Sequence, residues 1–215
     1  MREDISAKDF IVNASRIIME EGLSALSIRR LGKEMNCNTA NIYYYFIDLE
    51  ELIVYASMDY FTQYIMDVSK CYIETADVLT AYRQSWECLI QYSFDKPLLF
   101  RKLFYGKYRE RLGQILANYY KVFPQKAKKL DLGIMDIITA SNYRIYHDNI
   151  VLGRCIDAGF FAKEDEEILG TLLLNFYGGF LHDRISYGEE NEKIETLKES
   201  FFRCLDRTLE VYRIR

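Results

Sequence analysis

Residues 27–46 read SIRRLGKEMNCNTANIYYYF, and this stretch decides the fold of the N-terminal part of the chain. Ser27 and Asn38 are residue types that cap the N-termini of helices. They predict one helix that runs to about Met35 and a second that runs through Tyr45. Two short helices joined by a tight turn form a helix-turn-helix, in which the second helix enters the major groove of DNA.

Helices are also predicted on both sides of this stretch. Apolar residues at helical spacing predict a helix over residues 6–21, with Gly22 as its C-terminal cap. Asp48 and Glu51 form a capping box, which predicts that another helix begins there. No Pro or Gly follows before Cys71, so we expect one long helix that joins the N-terminal part to the rest of the chain.

The composition predicts an all-α protein. The chain has 215 residues but only 2 Pro and 11 Gly, which are too few turn residues for a β-sandwich or barrel. Further helices are expected at about 77–93, 97–105, 109–123, 133–152, 164–187 and 190–213. We expect a helix-turn-helix DNA-binding head over residues 1–52 and a larger helical effector-binding and dimerisation domain over residues 53–215.

The charge balance excludes a protein that holds nucleic acid by bulk charge. The chain has 28 basic and 32 acidic residues, a net charge of −4. Residues 1–52 contain six basic and nine acidic residues, a net charge of −3. Because few cations release few counterions on binding DNA, we expect weak non-specific binding with a shallow salt dependence.

The residue types of the second helix suit contacts with base edges. Asn41 can pair with adenine, the Thr39 methyl can contact a thymine methyl, and Ala40 permits close approach. Ile42 and Phe46 lie four residues apart and should face the core. The predicted DNA-binding residues are Ser27, Arg29, Arg30, Asn38, Thr39, Ala40, Asn41, Tyr43, Tyr44 and Tyr45.

Over about residues 6–53 the sequence resembles the tetracycline-repressor (TetR) family of bacterial transcriptional regulators. That family has an Ile-Ala-Lys-Glu-Ala-Gly-Val-Ser turn, then Leu-Tyr-Tyr-His-Phe and a Ser-Lys-Glu-x-Leu helix start. This chain has LGKEMNCN at 31–38, IYYYF at 42–46 and DLEEL at 48–52. The resemblance implies that the threonine, alanine and asparagine of the second helix face bases, and that its three tyrosines lie near phosphates.

The chain departs from the family pattern at three positions. Asn36 replaces the turn glycine, and Tyr45 replaces the usual histidine. Leu49 replaces the usual phosphate-binding lysine at the start of the following helix, which removes one cation from the expected DNA contact.

No motif in residues 53–215 identifies a ligand. The chain has 18 Tyr and 13 Phe, and an apolar pocket with a few polar groups is typical of small-molecule sites. The predicted pocket residues are Tyr82, Trp86, Tyr143, Tyr146 and His147, with packing in the core as the alternative interpretation. The last two helices have wide apolar faces, which predict either a buried core or a four-helix dimer interface. The predicted interface residues are Leu173, Gly178, Phe180, Leu197, Phe201 and Leu205.

The preferred hypothesis is a homodimeric repressor that a small molecule releases from a palindromic double-stranded DNA operator. Two heads about one helical turn apart would read such a palindrome, and a ligand that favours misplaced heads would lower the affinity. One alternative is a helical small-molecule-binding protein whose DNA-binding head is weakened or lost. Another is a helical-bundle enzyme, but the Glu-x-x-His pattern of di-iron bundles is absent because Arg144 and Gly179 stand three residues before the two histidines.

We therefore expect no enzymatic activity, no cofactor and no metal. Five scattered cysteines without a CxxC pair are typical of reduced thiols in the cytoplasm. The N-terminus has no apolar signal sequence, and the apolar-rich run at 168–181 is too short to span a bilayer. These features predict a cytoplasmic protein without a membrane partner.

Overall fold

The computed structural model describes residues 5–127 and 152–214, and this part of the chain consists mainly of helices joined by short turns and loops. The predicted all-α fold is confirmed. Residues 152–157 are also helical, and Phe161 and Arg213 form an isolated antiparallel bridge. The helices are α1 (Ala7–Glu21), α2 (Ile28–Glu34), α3 (Ala40–Tyr45), α4 (Leu49–Ala56), α5 (Met58–Glu74), α6 (Val78–Asp95), α7 (Pro97–Tyr105), α8 (Leu112–Val122), α9 (Pro124–Ala127), α10 (Glu166–Ser186) and α11 (Asn191–Tyr212).

The predicted single helix from Asp48 to about Cys71 is instead two consecutive helices, α4 and α5, with a break at Ser57. The Ser57 hydroxyl donates a hydrogen bond of 2.7 Å to the carbonyl of Ile53, four residues earlier. Such a bond competes with the helical pattern and often bends a helix. The sequence reasoning looked for Pro or Gly and therefore missed this break.

The described residues divide into two compact units. One contains residues 5–63 and 102–127, and the other contains residues 64–101 and 152–214. In the first unit α1 packs against α2, α3 and α4, while α4 also packs against α8. This unit therefore contains the whole described head together with α8 and α9. The predicted division of the chain at residue 52 stays a prediction.

The second unit has an aromatic core centred on Trp86 of α6. The ring of Trp86 lies 6.3 Å from Tyr82, 6.2 Å from Tyr177 and 5.7 Å from Phe201. All four side chains are at most 1% exposed. These contacts join α6, α10 and α11 into one core. In the described residues, no helix is apolar over a sufficient length to cross a membrane.

The turn between α2 and α3 depends on Asn36, whose φ of 50° is left-handed. The Cys37 N–H donates to the Gly32 carbonyl at 2.9 Å, and the Asn36 N–H donates to the Lys33 carbonyl at 3.2 Å. This pair of bonds is a Schellman motif, which satisfies carbonyls at the end of α2. After glycine, asparagine is among the residues that best tolerate this conformation, so the turn forms without the glycine of the TetR family.

We expect Asn36→Ala to lower the free energy of unfolding by about 1 kcal/mol, because alanine disfavours the left-handed conformation. The matched variant Asn36→Gly should be at least as stable as the wild-type protein, since glycine has no β-carbon. Urea unfolding followed by circular dichroism measures both. If the two variants were equally stable, the left-handed conformation at Asn36 would not determine the change in the free energy of unfolding.

Candidate nucleic-acid interface

One side of α3 faces the core of the first unit. Ile42 is fully buried and Phe46 is 4% exposed, as their spacing predicted. The ring of Phe46 lies 5.6 Å from that of Tyr55 in an edge-on arrangement. These contacts fix the rotation of α3 about its own axis and therefore determine which residues point outward.

The opposite side of α3 and the turn before it are open to solvent. Ala40, Asn41 and Tyr44 share one face, because they are three and four residues apart. Tyr44 is 82% exposed, the highest value among the exposed large apolar and aromatic side chains. The exposed residues of this surface, which we name the α3 surface, are Asn38, Thr39, Ala40, Asn41, Tyr43, Tyr44 and Tyr45.

Two of the predicted contact residues act as helix caps. The Ser27 hydroxyl accepts a hydrogen bond from the Arg30 N–H at 3.2 Å. The Asn38 side-chain carbonyl accepts one from the Ala40 N–H at 2.9 Å. Both caps hold the starts of α2 and α3 in place and leave other polar atoms of the same side chains available for solvent or a ligand.

Arg29 and Arg30 are adjacent on α2 but differ in their electrostatic environment. The Arg30 guanidinium donates to Glu21 at 2.5 Å, to Glu34 at 3.2 Å and to the Ala25 carbonyl at 3.2 Å. The hydrogen bonds that Arg30 donates to Glu21 and Glu34 raise the pKa of Arg30 above its ordinary value. Arg29 is exposed, and within residues 5–127 and 152–214 it forms no ion pair. Of these two predicted DNA-binding residues, Arg29 therefore has the charge that is more available to a DNA phosphate.

The acidic start of α4 is matched by cations from beyond residue 52. Asp48 accepts a hydrogen bond from the Lys107 ammonium at 2.7 Å and one from the Tyr108 hydroxyl at 3.1 Å. Burial acts to raise the pKa of Asp48, but the hydrogen bonds, first that from Lys107, hold it below the ordinary value. Glu50 accepts the Lys107 N–H at 3.0 Å, and Glu51 lies 3.7 Å from Arg111. The first unit is therefore less repulsive to DNA than the net charge of residues 1–52 suggested.

The predicted ligand-pocket residues fall into two groups. Tyr82 and Trp86 belong to the aromatic core of the second unit and are fully buried. Tyr143, Tyr146 and His147 lie outside the described residues. The sequence reasoning missed a groove of about 370 Å³ between α6 and α11. Its lining includes Leu79, Thr80, Arg83, Gln84, Glu87, Asp206, Leu209, Glu210 and Arg213.

The predicted dimer-interface residues also differ in exposure. Four of them are at most 7% exposed within a single protomer, namely Leu173, Leu197, Phe201 and Leu205. Gly178 and Phe180 are half-buried. Ile168 and Leu172 of α10, which the sequence analysis did not select, are 57% and 43% exposed and lie four residues apart. An apolar strip on the outside of α10 therefore has no cover within the described protomer.

The geometry defines a helix-turn-helix whose second helix is exposed. A protein of Haemophilus influenzae, described as an uncharacterized helix-turn-helix-type transcriptional regulator, is 28% identical to the chain over 97 residues. The match covers 45% of the chain and 52% of the relative, so the chain spans about half the length of the relative that it matches. No family model matches the chain.

Two solved structures align with most of the chain. A transcription regulator from Shewanella sp. PV-4, assigned to the TetR family, aligns with 98% of the chain and 100% of its own length at 12% identity and a TM-score of 0.48. BioQ, solved with its natural double-stranded DNA operator, aligns with 92% of the chain and 98% of its own length at 17% identity and a TM-score of 0.43.

Proposed function

We propose that the protein is a sequence-specific DNA-binding transcriptional regulator, a repressor that leaves a palindromic operator when a small molecule binds residues 53–215. One observation carries this proposal. The α3 surface presents Asn41 and Tyr44 to solvent, while Ile42 holds the helix against the core. Short polar and aromatic groups on an exposed helix suit the major groove, whose base edges differ for each base pair. The proposal includes no enzymatic activity.

A second copy of the chain is the partner that the proposal requires, because one head contacts too few base pairs for high specificity. The exposed apolar strip of α10, with Ile168 and Leu172, supports dimerisation at this helix. Gly178 and Phe180, which are half-buried, stay in the proposed interface. The other four predicted interface residues are buried within the protomer and would pack beneath that interface. They are Leu173, Leu197, Phe201 and Leu205.

The effector is proposed to bind within residues 53–215. Tyr82 and Trp86 stay candidates on the aromatic side of α6, and the groove between α6 and α11 offers a volume within the usual range for small-molecule sites. A compound that binds better to a conformation with misplaced heads would lower DNA affinity by about 5- to 150-fold. Screening compounds for release of bound DNA would identify such an effector.

Fluorescence anisotropy with DNA from upstream of the protein's own gene tests the function, together with selection from a random DNA library. Near physiological salt we expect nanomolar binding that resists scrambled competitor DNA and contains two protomers per site. If neither the upstream DNA nor the library provides a preferred sequence, the alternative of a small-molecule-binding protein with a lost DNA-binding head is correct.

Arg29 and Arg30 provide a matched test of the electrostatic contribution to DNA binding. We expect Arg29→Gln to weaken binding to all sequences and to reduce the slope of log K against log salt by about 1 for each bound protomer, or about 2 for a site with two protomers. Arg30→Gln should change this slope less, because its charge is matched by Glu21 and Glu34. Salt titrations by anisotropy measure both slopes. A larger change for Arg30→Gln would contradict the assigned environments.

A further inference from the structure

The hydroxyl group of Tyr45 forms an intramolecular hydrogen bond at the surface of the first unit. The hydroxyl donates a hydrogen bond of 3.0 Å to the backbone carbonyl of Ile5, just before α1. A tyrosine hydroxyl has a single proton, and a phosphate oxygen can only accept a hydrogen bond. While that proton is donated to Ile5, it is not available to a DNA phosphate. This arrangement differs from the phosphate contact that the family resemblance implied for Tyr45.

The ring of Tyr45 lies between a residue of the buried core and the exposed side chain of Tyr44. On one side it lies 5.9 Å from the ring of Phe10, which is fully buried. On the other side it meets the ring of Tyr44 at 5.0 Å and 90°, an edge-to-face arrangement that aromatic pairs favour. The hydroxyl bond and the contact with Phe10 hold Tyr45, and Tyr45 supports Tyr44.

We propose that Tyr45 is a positioning residue that orients Tyr44, and that Tyr44 is the residue that determines specificity at one or more base pairs. Tyr44 shares its face with Ala40 and Asn41, so its ring and hydroxyl point to the same part of a bound duplex. The ring can contact a thymine methyl, and the hydroxyl can donate to a base acceptor in the major groove. This inference rests on the proposed DNA-binding function.

A double-mutant cycle tests the inference. Tyr45→Phe keeps the ring but removes the hydroxyl bond to Ile5, and Tyr44→Ala removes the side chain that Tyr45 supports. Both single variants and the double variant are titrated by anisotropy against the selected operator and a set of operators with single base-pair changes. Thermal unfolding of each variant shows that the head remains folded.

We expect Tyr44→Ala to lose discrimination by about tenfold or more at a small number of base pairs. Tyr45→Phe should lose part of the discrimination at the same base pairs, by at least about threefold, and should have no further effect in the Tyr44→Ala background. In the free protein, the Tyr44 ring resonances should also shift in Tyr45→Phe, which reports its orientation without DNA.

Three results would overturn the inference. Tyr45 would be a phosphate contact if Tyr45→Phe weakened binding to all operators equally and did so again in the Tyr44→Ala background. Tyr45 would have no positioning role if Tyr45→Phe changed neither discrimination nor the Tyr44 resonances. If the wild-type protein selects no DNA sequence, the proposed function is wrong and this inference fails with it. The other two results are obtained on a selected operator, so they can be distinguished from a failure of the proposed function.

Discussion

Asn41→Ala is expected to remove most of the operator preference. Asn41 is exposed on α3, and its side-chain amide can both donate to and accept from an adenine in the major groove. Loss of one base-reading contact costs about 1–3 kcal/mol. Because a palindromic site loses the contact in both halves, we expect affinity for the operator to fall by about 30-fold or more, since mismatches at separate positions are roughly additive.

A matched control keeps this experiment specific to α3. Asn13→Ala makes the same chemical change on α1, where the Asn13 amide donates to the Asp9 carbonyl at 2.9 Å. It should leave the operator preference unchanged. Anisotropy titrations with operator and scrambled DNA measure both variants. If Asn41→Ala bound both DNAs as the wild-type protein does, α3 would not read bases through this residue.

Arg184→Met is expected to cause a large loss of stability. Arg184 is only 6% exposed, and its guanidinium donates to the Phe94 carbonyl at 2.9 Å and the Gly188 carbonyl at 2.6 Å. The Phe94 carbonyl lies in the last turn of α6, where helix carbonyls lack helical partners, and Gly188 follows the end of α10, where the dipole favours a cation. Methionine would leave both acceptors without this donor, so we expect the free energy of unfolding to fall by about 2–4 kcal/mol.

A second variant separates the hydrogen bonds of Arg184 from its charge, and a third is a control. Arg184→Lys keeps the charge but lacks the planar fork that reaches both carbonyls, so an intermediate loss is expected. Arg203→Met on α11 is the control, because Arg203 is exposed and its change should stay within about 0.5 kcal/mol. Urea unfolding gives all three values. If Arg184→Met were as stable as the wild-type protein, the free-energy cost of burying the Arg184 charge would equal the stabilisation from its hydrogen bonds.

The local features of the head could be predicted from the sequence because capping acts within a few residues. Ser27 caps α2, as its residue type indicated. The N-cap position of α3 is Thr39, one residue later than predicted, but the Asn38 side chain accepts the Ala40 N–H at the start of that helix. The inward positions of Ile42 and Phe46 followed from helical spacing. Asn36 stands where the resemblance led us to expect glycine, and its φ is left-handed, a conformation that glycine and asparagine tolerate.

Features that depend on distant partners could not be predicted in this way. Arg30 was expected to contact DNA, but Glu21 from the preceding helix matches its charge. The cations that match the start of α4, such as Lys107, lie more than fifty positions later in the chain. The contacts of Trp86 with Tyr177 and Phe201 join helices that are distant in the sequence, so residue type alone could not predict them.

Methylation interference on the selected operator tests the central claim most directly, since it reports which groove the protein enters. The α3 surface is proposed to lie in the major groove, so methyl groups at guanine N7 should block binding in two patches about one helical turn, or 10 base pairs, apart. Methylation at adenine N3 in the minor groove at the same positions should have little effect. Interference confined to the minor groove, or no interference on a bound operator, would contradict recognition by α3.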